Sequence, residues 1–63
     1  MNAGRMLARL ERATKEKGVK VSEFLKQYGL PISTFYVIKK TNEIKPKMHK
    51  KYLEALRDFQ PTL

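Results

Sequence analysis

The side chains best suited to chemistry in this chain are cations and hydroxyls, and they favour anion binding over catalysis. The 63 residues include 14 Lys and Arg against 6 Asp and Glu, which gives a formal charge of +8. Such a balance is typical of chains that bind a polyanion, above all nucleic acid. The distribution of these cations along the chain therefore indicates where such a partner would bind.

Two groups of cations stand out. Between residues 39 and 51 one acidic residue, Glu43, faces a basic cluster: Lys39, Lys40, Lys45, Lys47, Lys50, Lys51 and His49. Lysines at this density neutralise phosphates, and each released counterion steepens the salt dependence of binding; a solvated surface is the alternative. Arg5, Arg9 and Arg12 form a ridge at helical spacing, which either touches phosphates or pairs locally, as Arg12 would with Glu16.

Catalysis and metal binding have little support in the residue inventory. There is no cysteine and only one histidine, which removes disulfides, thiolate metal sites and cysteine nucleophiles. We find no recognisable catalytic-triad motif and no glycine-rich phosphate loop. We therefore expect no enzyme, no metal ion and no cofactor.

The elements that must position the cations are predicted to be helices. We expect residues 1–63 to form a single all-α domain, a compact bundle of four helices. The first helix is predicted to end near Lys17, before Gly18, and a fourth is predicted from Pro46 until Pro61. Their apolar faces are Ala3, Met6, Leu7, Leu10 and Ala13 in the first, and Met48, Tyr52, Leu53, Leu56 and Phe59 in the fourth.

Two shorter helices are predicted between them. Ser22 is a plausible N-cap for the second, and Gly29 can take the left-handed conformation that closes it. The third should run from Pro31 or Ile32 to Lys40, followed by a turn over residues 41–43. The predicted inner faces of this pair are formed by Phe24, Leu25, Tyr28, Phe35 and Ile38. Gly29 forms the turn between the two helices, and the apolar Leu30 follows it.

The stretch VSEFLKQYGLPISTFYVIKK, residues 21–40, resembles the helix-turn-helix of the Cro and repressor-type family. It departs from that pattern at Leu25, where the family usually has a small residue, and at Ser22, where it often has a glutamine. The resemblance implies that the third helix is a recognition helix lying in the major groove of double-stranded DNA.

On this interpretation the outward residues of the recognition helix contact bases. They are Ile32, Ser33, Tyr36, Val37 and Lys40. Ser33 and Tyr36 can hydrogen-bond, Ile32 and Val37 can meet thymine methyls, and Lys40 can reach a phosphate or a guanine. The expected contacts to the DNA backbone are Lys39, Lys45, Lys47, Lys50, Lys51, Arg5 and Arg9.

The sequence leaves more than one function open. The first hypothesis is a sequence-specific DNA-binding transcriptional regulator, a phage or mobile-element repressor or Cro-like protein. A homodimer is expected because one short helix reads few base pairs; its candidate surface is Leu53, Leu56, Phe59 and Leu63, and the alternative is that these residues complete the core.

The alternative is a protein-interaction module, an antirepressor or adaptor that docks through Ile32, Tyr36 and Val37, and a purely structural role for the motif stays open. A membrane-active peptide is disfavoured by the internal prolines and the capped turn. No apolar run approaches the roughly 18 to 20 residues that span a bilayer, so we expect no membrane partner and a cytoplasmic protein of a bacterial or phage-infected cell.

Overall fold

The computed structural model describes residues 1–60, and over these the chain is all-α, as predicted. Its four helices are α1 (Gly4–Lys17), α2 (Val21–Gln27), α3 (Ile32–Thr41) and α4 (Pro46–Phe59). The described residues contain no strand, only an isolated antiparallel bridge between Asn2 and Glu43. Pro61, predicted to end the fourth helix, lies outside the described residues.

Helix α1 follows its predicted pattern. All five apolar positions of its expected face are buried, and Gly18 ends the helix in the left-handed conformation with φ 65°, which a residue without Cβ adopts at little cost. The one buried polar residue of α1 is Thr14, whose hydroxyl donates to the carbonyls of Leu10 and Glu11, both at 3.0 Å. The end of α1 near Lys17 is confirmed.

Helix α2 begins earlier than predicted. Its N-cap is Lys20, in an extended conformation, and no side chain caps the helix. The Phe24 N–H already donates to the Lys20 carbonyl at 3.1 Å, so Ser22 lies inside the first turn. The prediction of Ser22 as N-cap was wrong: the N-cap lies two residues earlier, so that Val21 begins the helix and packs against the core.

The turn between α2 and α3 is built as its glycine and proline predict. Gly29 is left-handed with φ 66°, and the following Leu30 N–H returns to the Leu25 carbonyl at 2.8 Å. Pro31 is the extended N-cap of α3, and the helix continues one residue beyond the predicted end, to Thr41. Asn42 then closes it in the left-handed conformation with φ 60°.

The core lies where α1 packs against α4 and α2, while α2 packs against α3. Phe24 meets Phe59 edge to face with ring centroids 5.0 Å apart, and Leu56 is fully buried beside them in the same cluster. Leu56 and Phe59 are therefore core residues, which agrees with the alternative that they complete the core and do not form a dimer surface. Leu53 is half-buried against the core, and Leu63, the remaining member, lies outside the described residues.

The N-terminal segment clasps the connection between α3 and α4. The Ala3 N–H donates to the Asn42 carbonyl at 3.0 Å, and the Ile44 N–H donates to the Met1 carbonyl at 2.9 Å. Ile44 itself is buried. This connection is consequently fixed from both sides, by backbone pairing and by a buried side chain, and it holds the start of α4 beside α3.

Candidate nucleic-acid interface

One face of α3 is anchored in the core and the opposite face is open to solvent. Phe35 and Ile38 are each 4% exposed, whereas Tyr36 and Val37 are each 60% exposed and Ile32 is 45% exposed. A helix held by two large buried side chains can present the others without moving. The structure thus brings the sequence-predicted base-contacting residues onto one rigid outward surface.

Two rows of side chains make up this surface, which we call the α3 outer face. Since residues four apart are neighbours on a helix, Ile32, Tyr36 and Lys40 form one row, and Ser33 and Val37 form the other. Ser33 and Lys40 are exposed as well. The α3 outer face therefore carries two hydroxyls, two aliphatic groups and one ammonium group.

The edge of α3 nearest α1 and α2 borders two shallow grooves. Ser22, Leu25 and Ile32 line a shallow groove there, and Glu11 and Tyr36 line a second one beside it. Lys39 Nζ lies 4.0 Å from Glu11 Oε1, with both side chains more than half exposed. Lys39, expected to contact the DNA backbone, is thus turned toward α1 in this structure.

The opposite edge of α3 borders the start of α4. Val37 and Lys45 line a groove of about 540 Å³, with Met1, Thr34, Ile38, Thr41, Glu43, Ile44, Pro46 and Met48 completing its walls. Lys45 is the N-cap residue of α4. Helix N-termini carry a partial positive charge. The Lys45 ammonium group and the first turn of α4 therefore both place positive charge next to Val37.

The other lysines of the basic cluster divide between two sides of α4. Lys51 lines a shallow pocket with Tyr28, Gly29 and Leu30, and Lys47, one turn earlier, lies on the same side. Lys50 is exposed on the outer side of α4, away from the core. The structure therefore associates Lys45 with α3 and Lys51 with the α2–α3 turn, but brings Lys50 to neither.

The α1 arginines lie apart from α3. Glu11 marks the side of α1 that reaches Lys39, and Arg9, two residues earlier, is turned by about 200° around the helix axis. Arg9 instead shares its side of α1 with Glu16, whose carboxylate accepts a hydrogen bond from Gln60 after α4. Arg5 and Arg9 are exposed, but the structure does not place them beside the α3 outer face.

Tyr28 is half-buried at the end of α2. Its ring centroid lies 5.1 Å from that of Phe24 and 6.4 Å from that of Phe59, and its hydroxyl donates to Asp58 at 2.7 Å. Partial burial, then the hydrogen bond and charge of Asp58, raise the pKa of Tyr28. Its ring is engaged in packing and its hydroxyl in joining α2 to α4.

Sequence reasoning missed two residues that shape the site. Ile44 is buried under the α3–α4 connection, and Glu11 pairs with Lys39 across 28 positions of sequence. Ile44 stands alone between polar residues, without a periodic partner, so no pattern marks it. The pairing of Glu11 depends on how α1 crosses α3, which local spacing does not contain.

Metal binding and membrane spanning are two further possibilities for the same residues. Within residues 1–60, no three or more His, Asp or Glu side chains come together as a metal site would require. In that part of the chain, no helix has the length and apolar character needed to cross a membrane. His49 is half-buried near the start of α4.

Comparison with known proteins adds no assignment. No family model matches the sequence, and no curated protein or solved structure matches it either. The function of the chain therefore has to be inferred from its own side chains and their arrangement. The α3 outer face combines apolar, hydroxyl and cationic groups on a rigid helix, and this combination can contact a ligand that is both anionic and edged with apolar groups.

Proposed function

We propose that this chain is a sequence-specific double-stranded DNA-binding transcriptional regulator, of the repressor or Cro-like kind found in phages and mobile elements. In this proposal α2, the Gly29 turn and α3 act as a helix-turn-helix, and α3 lies in the major groove. Its place of action would be the cytoplasm of a bacterial or phage-infected cell.

The observation that carries the proposal is the composition of the α3 outer face. Ile32, Tyr36 and Val37 are exposed on a helix whose other side is fixed in the core. Lys40 lies at one end of this face and Lys45 along one edge. Apolar and hydroxyl groups bordered by cations complement a groove whose floor carries base edges and whose walls carry phosphates.

The charge of the whole chain supports the same partner. A formal charge of +8 on 63 residues favours association with a polyanion and speeds the encounter. The lysines we assign to phosphates are Lys51, beside the α2–α3 turn, Lys47, one turn earlier on α4, and Lys45, beside Val37. We give lower weight to Lys39, Lys50, Arg5 and Arg9, because they lie away from the α3 outer face or pair elsewhere.

The test is selection of bound duplexes from a random pool at moderate salt, with the wild type, Tyr36→Ala and Lys40→Ala. We expect a consensus for the wild type and a loss or relaxation of that consensus for the variants. Both side chains are exposed, so their removal should leave the melting temperature within a few degrees. Binding that is uniform across sequences would defeat the proposal of a specific regulator.

We further propose that two copies occupy two half-sites, because a helix of 10 residues reads few base pairs and paired half-sites multiply specificity. Leu56 and Phe59 belong to the core, so they do not supply the contact between copies. Selected sites should show inverted repeats, and sedimentation of the bound duplex should give two chains per site. A single half-site with one chain bound would contradict this.

A second candidate function uses the same surface. The exposed apolar group of Ile32, Tyr36 and Val37 also suits an antirepressor or adaptor that docks on another protein. The two functions differ in their dependence on salt, since phosphate contacts release counterions and apolar docking does not. A chain that selects no duplex yet loses a protein partner on Val37→Ala would favour the adaptor.

A further inference from the structure

The α3 outer face lacks the side chains that most clearly distinguish one base from another. The sequence of α3, ISTFYVIKKT, contains no Arg, Asn or Gln, the side chains that make the clearest bidentate pairs with guanine and adenine. Within residues 1–60, the exposed large hydrophobic side chains are Met1, Ile32, Tyr36 and Val37, and all but Met1 belong to α3. An exposed apolar cluster of this kind marks a surface that a ligand covers.

A ligand that covers it would meet the apolar side chains together with Lys40 and Lys45, while Glu43 in the groove beside Val37 is paired with the Met1 amino group. Lys45 and the start of α4 border Val37 on one edge, and Lys40 continues the row of Ile32 and Tyr36. In the major groove of a phosphate-walled duplex, the apolar substituent on a base edge is the C5 methyl group of thymine. Charge and apolarity together therefore select one chemical group.

Building on the proposed function, we propose that this chain reads its site mainly through thymine C5 methyl groups, with Ile32 and Val37 as the two side chains that contact them. On this assignment the methyl groups carry sequence information that other recognition helices take from guanidinium or carboxamide pairs. Ser33, Tyr36 and Lys40 then add hydrogen bonds or phosphate contacts, which sharpen the sequence preference less than the two methyl contacts do.

The spacing of the two side chains sets a spacing of methyl groups. Ile32 and Val37 are five residues apart, which separates them by about 7.5 Å along the helix axis and by about 140° around it. Base pairs rise by about 3.4 Å, so the two side chains reach different base pairs, about two steps apart. Ile32 lies on the α2 edge and Val37 on the α4 edge, which directs them to opposite sides of the groove.

The experiment removes methyl groups one at a time from the DNA. In a duplex taken from the selection, each thymine is replaced by uracil, which retains base pairing and lacks only the methyl group. We expect two positions at which the wild type binds about fourfold more weakly, the loss of one buried methyl group. Methylcytosine paired with guanine at either position should recover part of the affinity lost on replacing thymine by cytosine.

Protein variants assign each methyl group to a side chain. Val37→Ala should abolish the uracil effect at one position and Ile32→Ala at the other, each leaving the second position unchanged. Arg57→Ala, at an exposed position of α4, is the matched control and should preserve both effects. Circular dichroism of each variant checks that the fold is intact, as the exposure of both side chains leads us to expect.

The outcomes separate this inference from the proposed function. A consensus with two uracil-sensitive positions, each coupled to one side chain, supports both. A consensus that tolerates uracil everywhere, or uracil effects that persist in both alanine variants, overturns the methyl assignment while the regulator proposal stands. Failure to select any consensus overturns both, and a protein partner lost on Val37→Ala would then explain the exposed cluster.

Discussion

The Tyr28 hydroxyl donates a 2.7 Å hydrogen bond to Asp58 Oδ2, which joins the last residue before the Gly29 turn to the final turns of α4. The bond crosses between helices 30 residues apart in sequence. It therefore ties the orientation of α2, and through the turn that of α3, to α4. Its loss should be measurable both in stability and in the setting of α3.

Removal of either partner should cost a modest part of the folding free energy. Tyr28→Phe leaves the ring packed on Phe24 and deletes only the hydroxyl, so we expect a loss of about 0.5 to 1 kcal/mol. Asp58→Asn should cost a similar amount, and the double variant should cost less than the sum of the two. Tyr36→Phe, an exposed tyrosine, is the control, and strictly additive losses in urea melts would argue against the bond.

The anchoring of α3 predicts a much larger effect at Phe35. The side chain is 4% exposed, and truncation to alanine leaves a cavity that costs about 3 to 5 kcal/mol. A domain of this size has little more than that in total. Phe35→Ala should therefore fail to melt cooperatively, while Tyr36→Ala next to it should melt like the wild type. A preserved cooperative transition in Phe35→Ala would show that the inner face is misassigned.

The turn at Gly29 makes a prediction about backbone strain alone. Gly29 has φ 66°, and no atom lies within 4 Å of the position that a Cβ would take. Gly29→Ala should thus destabilise the domain by about 1 kcal/mol through conformation and not through a clash. Gly29→Asn should lose less, because Asn tolerates the left-handed region. Equal thermal stability of Gly29→Ala and the wild type would contradict the observed turn.

The periodic spacing of apolar residues and the backbone preferences of glycine and proline made most of the fold predictable. The apolar spacing of α1, the left-handed Gly18 and Gly29, and the prolines at the starts of α3 and α4 are local features, and each appears in the structure where the sequence placed it. Ser22 failed because a capping hydroxyl competes with burial of the neighbouring Val21, and burial prevailed. Local propensity is a weak prior where packing opposes it.

The candidate site divides along the same line. Exposure of the α3 residues follows from helical periodicity once Phe35 and Ile38 are assigned inward, so those five were predictable. The pairing of Lys39 with Glu11 and the positions of Lys50 and Arg9 relative to α3 were not, because they depend on how α1 and α4 cross it. The core assignment of Leu56 and Phe59 likewise needed the α1–α4 packing, since an apolar stripe alone serves a core or an interface equally well.

The buried Tyr52 predicts alkaline unfolding. Its hydroxyl has no hydrogen-bond partner within the described residues, and burial raises the pKa of Tyr52 above the usual value of 10.0. Because the folded state retains the phenolic proton more tightly than the unfolded state, stability is fully present below about pH 10 and falls as the pH rises above it. Melting temperatures between pH 8 and 11 should show this fall.

Tyr52→Phe separates this effect from the deprotonation of lysines. The variant lacks the titrating group, so its melting temperature should decline less above pH 10 than that of the wild type. At pH 7 it should be at least as stable, with a gain of about 1 kcal/mol, because it no longer buries an unpaired hydroxyl. Destabilisation at pH 7 together with an unchanged alkaline decline would show that the hydroxyl is bonded and does not titrate on unfolding.

The division of the basic cluster predicts different salt dependences for lysines that look alike in sequence. If Lys45 neutralises a phosphate beside Val37, then Lys45→Gln should reduce the slope of log affinity against log salt by about one and weaken binding nearly equally across sequences. Lys50→Gln, which removes the same charge from the outer side of α4, is the matched control and should change the slope less. The slopes come from fluorescence anisotropy of one selected duplex between 50 and 200 mM salt. Equal reductions for the two variants would mean that the net charge, and not the placement of Lys45 beside α3, governs the contact.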